Sequence, residues 1–303
     1  MPSRLCILCL VGLLTSSSAG DKTAPAKHVL QMKLRRGQRF LGSNTVSYSV
    51  TTTFRQAEKN WSTSESVQVT ERFKDKILRS GTHGVLEVER TYLLHYSKHR
   101  ASEQDRPHVE QSALQGRKVI LRERRRRREV KLDGAGVVDA IVRNTAGIEI
   151  DWRDIFPDEA VAPGDTWTAD CVALSRRIAA YLDSGKKGKM TVRFEEVVDG
   201  QAKLYVDWTL EGMRNRNLFT KVTLAGDVFF DFELGRVVNV DLTGNIVVRG
   251  AIIGPGQPRI VKGEGKVSLK TTVKAAEVQA SVDGEDESDA EDEDDGEDEA
   301  RDR

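Results

Sequence analysis

The chain has 303 residues, 31% of them Asp, Glu, Lys or Arg, and its formal net charge of 0 is the sum of two opposed regions. From Asp283 to Arg303 there are 14 acidic residues against 2 arginines, whereas Gly20 to Val282 carries +11, so the neutral total predicts neither solubility nor partners. Cys6 and Cys9 lie in the first apolar segment and Cys171 is the one cysteine after it, which excludes a disulfide framework.

Residues 1–19 read as a secretory signal peptide. Arg4 gives the positive start, Leu5 to Leu14 the apolar stretch, and Ser17, Ser18 and Ala19 a small-residue cleavage region. About 10 apolar residues are too few to cross a hydrocarbon core of roughly 30 Å, so export is expected rather than anchoring. The expected location is therefore periplasmic, cell-envelope or extracellular. No later segment has the length and apolarity of a membrane-spanning helix.

The body alternates apolar and polar residues with period two, which predicts a mainly β fold of curved or stacked antiparallel sheets built from long hairpins. Val46, Tyr48, Val50 and Phe54 share one strand face, completed by Thr52, while Ser and Thr fill much of the other. Leu86 to Leu94 also alternates like a strand. On such a strand His95 and His99 would share a face roughly 13 Å apart, too far for one metal ion.

Arg122 to Glu129 contains the adjacent arginines Arg124, Arg125, Arg126, Arg127 and Arg128. Such a run cannot be buried unpaired, so it predicts a hairpin tip, an edge strand or a contact face for an anionic partner. An anionic glycan, an anionic lipid or an acidic protein fits this face. Nucleic acid is not expected, because neither aromatic interleaving nor a recognition helix accompanies the arginines. A boundary near Thr145 divides the body into β-rich halves, 20–144 and 145–282, or the halves form one continuous domain.

In the second half, Asp151, Asp154, Asp158 and Glu159 are the candidate carboxylates for a hydrolase, although their turn-rich setting suits backbone hydrogen bonding equally. Met190, Val192 and Phe194, then Leu204, Val206, Trp208 and Leu210, form two strands joined by a turn at Asp199 and Gly200. Val228, Phe230, Phe232 and Leu234 form another face, broken by Gly235 and resumed by Val238, Val240 and Leu242. Gly244 and Asn245 read as the next turn, before Ile246 and Val248. Short helical signals occur at Arg176 to Leu182 and Ala275 to Ala280. Trp152, Trp167, Trp208, Phe230 and Phe232 either line an apolar pocket or fill the core.

An imperfect repeat relates Leu34-Arg35-Arg36-Gly37-Gln38-Arg39-Phe40 to Val161-Ala162-Pro163-Gly164-Asp165-Thr166-Trp167. Gly84, Leu86, Val88 and Thr91 then correspond to Gly200, Leu204, Val206 and Thr209. Residues 283–303 carry no aliphatic anchor and are expected to be a disordered acidic tail, which solubilises the chain or folds back on the basic body.

The stretch Phe156 to Trp167, joined to Gly235-Arg236-Val237-Val238, resembles a family of exported bacterial β-rich proteins with no assigned activity. The resemblance implies an exported β module and carries over no catalytic residue. Neither a nucleophile elbow, nor a phosphate loop, nor a dinucleotide fingerprint is present in the sequence. The expectation is a noncatalytic binding or structural protein without metal or cofactor. Two alternatives stay open: a carrier of an apolar ligand such as a lipid in a β-lined cavity, and a hydrolase using carboxylates near 151–159.

Overall fold

The computed structural model describes residues 25–81, 84–102, 105–124, 127–132, 152–169, 184–214, 217–253 and 257–276. The expected signal peptide, Cys171, the proposed boundary near Thr145, the helical signal at Arg176 to Leu182 and the acidic tail lie outside these residues. So do Arg125 and Arg126.

The described strands are β1 (Arg39–Gln56), β2 (Lys59–Gly81), β3 (Gly84–Arg100), β4 (His108–Gln111), β5 (Lys118–Arg124), β6 (Arg127–Leu132), β7 (Thr166–Ala169), β8 (Ser184–Val198), β9 (Gln201–Arg214), β10 (Leu218–Asp231), β11 (Arg236–Ile252) and β12 (Arg259–Ala275). They form one open antiparallel sheet in the order β6-β5-β3-β2-β1-β12-β11-β10-β9-β8-β7, with β4 also paired to β3. The chain begins at the middle of the sheet, runs outward to one edge, restarts at the other edge and returns to the middle. The two sequence halves therefore meet in the β1–β12 ladder, where Tyr48 pairs with Val267 and Val46 with Leu269.

The period-two pattern has its expected consequence. Phe40, Asn44, Tyr48 and Val50 of β1 are buried, while the intervening positions carry Ser and Thr toward the opposite face. The buried face gathers a large apolar cluster around Met190, Val192, Phe194, Leu204, Val206 and Trp208, and a second around Phe40, Ile77, Tyr92 and Val119. Burial of a side chain of this size contributes about 1.5–3 kcal/mol, so these two clusters are the principal source of stability. Leu30 belongs to the first cluster and Leu34 to the second, and Met32 packs against both. The N-terminal segment thus links the two clusters, tied down by reciprocal His28–Val161 backbone bonds and by Lys33 N–H donating to Gly235 O at 2.9 Å.

The repeat is explicit in the backbone. Gly37 N–H donates to Ile77 O and Ile77 N–H to Gln38 O; likewise Gly164 N–H donates to Phe194 O and Phe194 N–H to Asp165 O. In each copy the glycine has positive φ, 88° at Gly37 and 100° at Gly164, as the third residue of a tight turn that an L side chain would strain. The residue after each glycine then closes the turn with its side chain: Arg35 N–H donates to Gln38 Oε1, and Ala162 N–H to Asp165 Oδ2. Ile77 pairs with Val88 and Phe194 with Leu204, so Val88 corresponds to Leu204 rather than Val206. The sequence-based alignment is offset by two residues there, which preserves the strand face but not the partner.

Asp199 and Gly200 form the expected hairpin turn, with φ of 50° and 75°. Gly244 does not form a turn: β11 runs unbroken through it. A Cβ built on Gly244 would collide with the Thr223 carbonyl oxygen of the neighbouring strand, so glycine there permits close strand approach. Val238 is also displaced from its expected role. A bulge aligns Phe230 with Val237 and Phe229 with Asn239, leaving Val238 as the extra residue. Ala275 ends β12, and residues 277–280 of the helical signal there lie outside the described residues.

Candidate functional site: a cationic groove on the hydroxyl-rich face

Two rows of paired residues cross the middle of the sheet on the face opposite the apolar clusters. One runs Thr243, Ser268, Ser47, Gln68, Lys98; the next runs Asn245, Lys266, Ser49, Ser66, Arg100. Along β1 this face reads Ser43, Thr45, Ser47, Ser49, Thr51, Thr53, and along β2 it reads Ser62, Ser64, Ser66, Gln68, Thr70. From Thr45 to Thr53 the stripe spans roughly 27 Å at strand rise. Hydroxyls pair across strands, Ser47 with Ser268 at 2.8 Å, Thr51 with Ser64 at 3.0 Å and Thr53 with Ser62 at 2.9 Å.

A cavity of about 510 Å³ opens on these rows, lined by Ser47, Ser49, Ser66, Gln68, Thr243 and Ser268 with Lys98, Arg100, Lys266 and Pro107. Tyr48, Val67, His99, Gly244 and Val267 also line it. Among the described residues that line it, none is a carboxylate. Lys266 Nζ donates to Asn245 Oδ1 at 2.8 Å, and the Lys98 ammonium sits 5.3 Å from the Tyr96 ring centroid. The groove therefore offers cations and hydroxyl groups together, which is donor chemistry suited to an anionic or polyhydroxylated ligand.

The structure disperses the residues singled out from the sequence. Arg124 ends β5 opposite Arg127 at the start of β6, with Arg128 opposite Glu123, so these three arginines lie in the β5–β6 pair at the sheet edge. Arg122 is bidentate to Glu87, Nε to Oε2 at 3.1 Å and the second nitrogen to Oε1 at 2.8 Å. That hydrogen bond holds the Glu87 carboxyl below its usual range. Trp152, Trp208 and Phe230 are buried in the larger apolar cluster, with Trp167 and Phe232 packed against it. Phe230 makes edge contacts with Phe156 at 5.0 Å and Phe232 at 5.8 Å, and Trp167 Nε1–H donates to Ile155 O. These five aromatics close on neighbouring side chains. Asp154, Asp158 and Glu159 are exposed around the short 3-10 helix Trp152–Ile155, and Asp151 lies outside the described residues.

A second polar feature is buried. Asn44, Glu71 and His95 occupy one register row of the apolar face, and Asp75 pairs with Arg90 two rows away. His95 Nε2 lies 3.8 Å from Glu71 Oε1, and burial, reinforced by the Arg90 charge, lowers the His95 pKa to about 4. Among the described residues no group of three or more His, Cys, Asp or Glu is placed to hold a metal ion, and no helix is long and apolar enough to cross a membrane.

The sequence reading missed the groove, although one signal was present: β1 and β2 place hydroxyl or amide groups at almost every second position. Lys266 and Ser268 come from more than 200 positions beyond Ser47 and Ser49, brought in by the β1–β12 ladder, and Lys98 and Arg100 come from β3 across β2.

No family model matches the chain, and no curated protein matches it. Among solved structures, it is similar to lipovitellin, in a study of lipid–protein interactions in that protein, with 9% identity and a TM-score of 0.43. The match covers 81% of this chain and 26% of the lipovitellin chain, so this chain corresponds to about a quarter of that protein.

Proposed function

We propose that the protein is an exported, noncatalytic binding protein that holds an anionic, hydroxyl-rich ligand, such as an acidic glycan, in the groove across β1, β2, β3, β11 and β12. The observation that carries this reading is the convergence of Lys98, Arg100 and Lys266 on a hydroxyl-lined cavity with no carboxylate among the described residues that line it. Exposed cations gain modest energy individually, so affinity arises from several acting together and weakens with salt. The combined substitutions Lys98→Glu, Arg100→Glu and Lys266→Glu are expected to lower affinity for dextran sulfate at least about tenfold at low salt. Reversal of Arg124, Arg127 and Arg128 is expected to change it less. The opposite ranking in a fluorescence anisotropy titration moves the anion site to the edge hairpin.

A carrier of an apolar ligand is the second reading. It is favoured by a cavity volume of about 510 Å³, within the ~300–1,000 Å³ of small-ligand sites. An anionic lipid would place its headgroup on the same cations. Mass spectrometry of an organic extract of protein purified from its native source is expected to find a stoichiometric lipid under this reading. A lipid-free extract leaves the glycan reading alone.

A further inference from the structure

The apolar side chains left exposed are concentrated at one end of the sheet. Ten large hydrophobic residues are exposed among the described residues, and Trp61, Phe219, Ile252, Ile253 and Ile260 account for half of them. Strand register places these residues at one end, Trp61 and Ile252 on the face of the apolar clusters and Ile260 and Phe219 on the other: Phe54 pairs with Trp61 and Val261, Ile260 with Ala251, Ile252 with Arg259, and Phe219 with Arg249 beside Lys262, and Ile253 follows the end of β11. This is the end at which β1 turns into β2, β10 begins, and β11 gives way to β12. Ile253 is 76% exposed and Ile260 49%. Beneath them, Leu218, Val248 and Val261 form a small buried cluster with Phe54, so the end is a firm apolar platform.

The same end is basic. Arg55, Lys59, Arg249, Arg259 and Lys262 stand against Glu58 within the described segments 54–62, 217–219, 249–253 and 257–262. Arg259 lies 5.8 Å from the Trp61 ring centroid, and Trp61 stacks on Phe54 at 5.4 Å. A tryptophan and isoleucines rimmed by Arg and Lys match the two halves of a bilayer interface: the apolar groups enter the acyl boundary and the cations meet anionic headgroups. A protein partner recognised by apolar contact alone would not explain the excess of cations around the tip. The backbone of Trp61, Phe219, Ile252 and Ile260 is committed to strand pairing, so shallow entry there exposes side chains rather than unsatisfied amides.

We propose that this end of the sheet docks the protein on an anionic lipid surface. The intact protein is expected to float with vesicles of phosphatidylcholine mixed with phosphatidylglycerol, and to remain in solution with phosphatidylcholine alone. The charge-neutral pair Ile253→Ser and Ile260→Ser is expected to reduce flotation at least about tenfold. Both positions are exposed, so circular dichroism melting should match the parent protein and separate lost docking from lost folding. Arg259→Gln with Arg55→Gln is expected to weaken flotation and its salt dependence. These substitutions leave the groove cations Lys98, Arg100 and Lys266 in place, so failure here and failure of groove binding are distinguishable. No flotation with anionic vesicles, or flotation indifferent to the isoleucine pair, overturns the proposal. Concentration-dependent self-association abolished by the same pair, without flotation, assigns the patch to a second copy of the chain instead and likewise overturns it.

Discussion

Replacing Arg90 by leucine is expected to destabilise the fold by about 3–5 kcal/mol, read as a fall in the urea unfolding midpoint. Arg90 is fully buried, and its guanidinium is bidentate to Asp75, Nε to Oδ1 at 2.8 Å and the second nitrogen to Oδ2 at 2.7 Å. It also stacks 3.7 Å from the centre of the Phe73 ring, which occupies the space above Gly42 that a Cβ would fill. Removing the cation leaves the Asp75 carboxylate, 4% exposed, inside an apolar cluster without its principal counter-ion. The repeat supplies the control. Phe40, Asp75 and Arg90 form one cross-strand row, and the corresponding row in the second half is Trp167, Val192 and Val206. The second copy packs that row with apolar residues, so the fold itself does not demand an ion pair there. Asp75→Val combined with Arg90→Met is therefore expected to recover more than half of the loss. A double variant as unstable as Arg90→Leu would show that the pair does more than satisfy itself.

That comparison also shows what was legible before the fold. Strand faces such as Val46, Tyr48 and Val50, the turn at Asp199 and Gly200, and the repeated turns at Gly37 and Gly164 are set by neighbours close in sequence. Period and turn chemistry reveal them for that reason. Arg90 in the core was not legible, because its acceptability depends on Asp75 across a strand pair. Gly244 was misread as a turn because its role is set by the carbonyl of Thr223 on the adjacent strand, not by its own flanks. The groove joins Ser47 to Ser268 and Gln68 to Lys98, contacts that exist once the order of the strands is known. The arginine run drew attention through composition, yet Arg122 is engaged with Glu87, while the cations of the groove come from two strands far apart in sequence, Lys98 and Arg100 from β3 and Lys266 from β12.

The bulge at Leu93 has a similar effect, and it creates a dependence on pH. Phe73 pairs with Tyr92 and Arg72 with Leu94, so Leu93 is the extra residue and the strand changes phase. Tyr92 and His95 both consequently face the buried side, with their rings stacked at 5.3 Å. The backbone on either side is fixed: His95 N–H donates to Gln115 Oε1 at 3.2 Å, and His95 O accepts from Ser112 N–H at 2.9 Å. Burial is the larger cause of the depressed pKa and the Arg90 charge the second. Glu71 Oε1, at 3.8 Å beyond hydrogen-bond length, does not reverse the shift. The folded imidazole titrates near 4, below its ordinary value of 6.5. Between those values the unfolded chain binds the proton and the folded chain does not. Stability is therefore complete above pH 6.5 and declines as pH falls toward 4, by about 3 kcal/mol across the window. Urea unfolding at successive pH values should show this slope, and His95→Gln should flatten it relative to the parent protein. Carboxylates elsewhere titrate in both proteins and cancel in the difference. Identical slopes in the two proteins would place the proton uptake on another group and return His95 to a purely packing role.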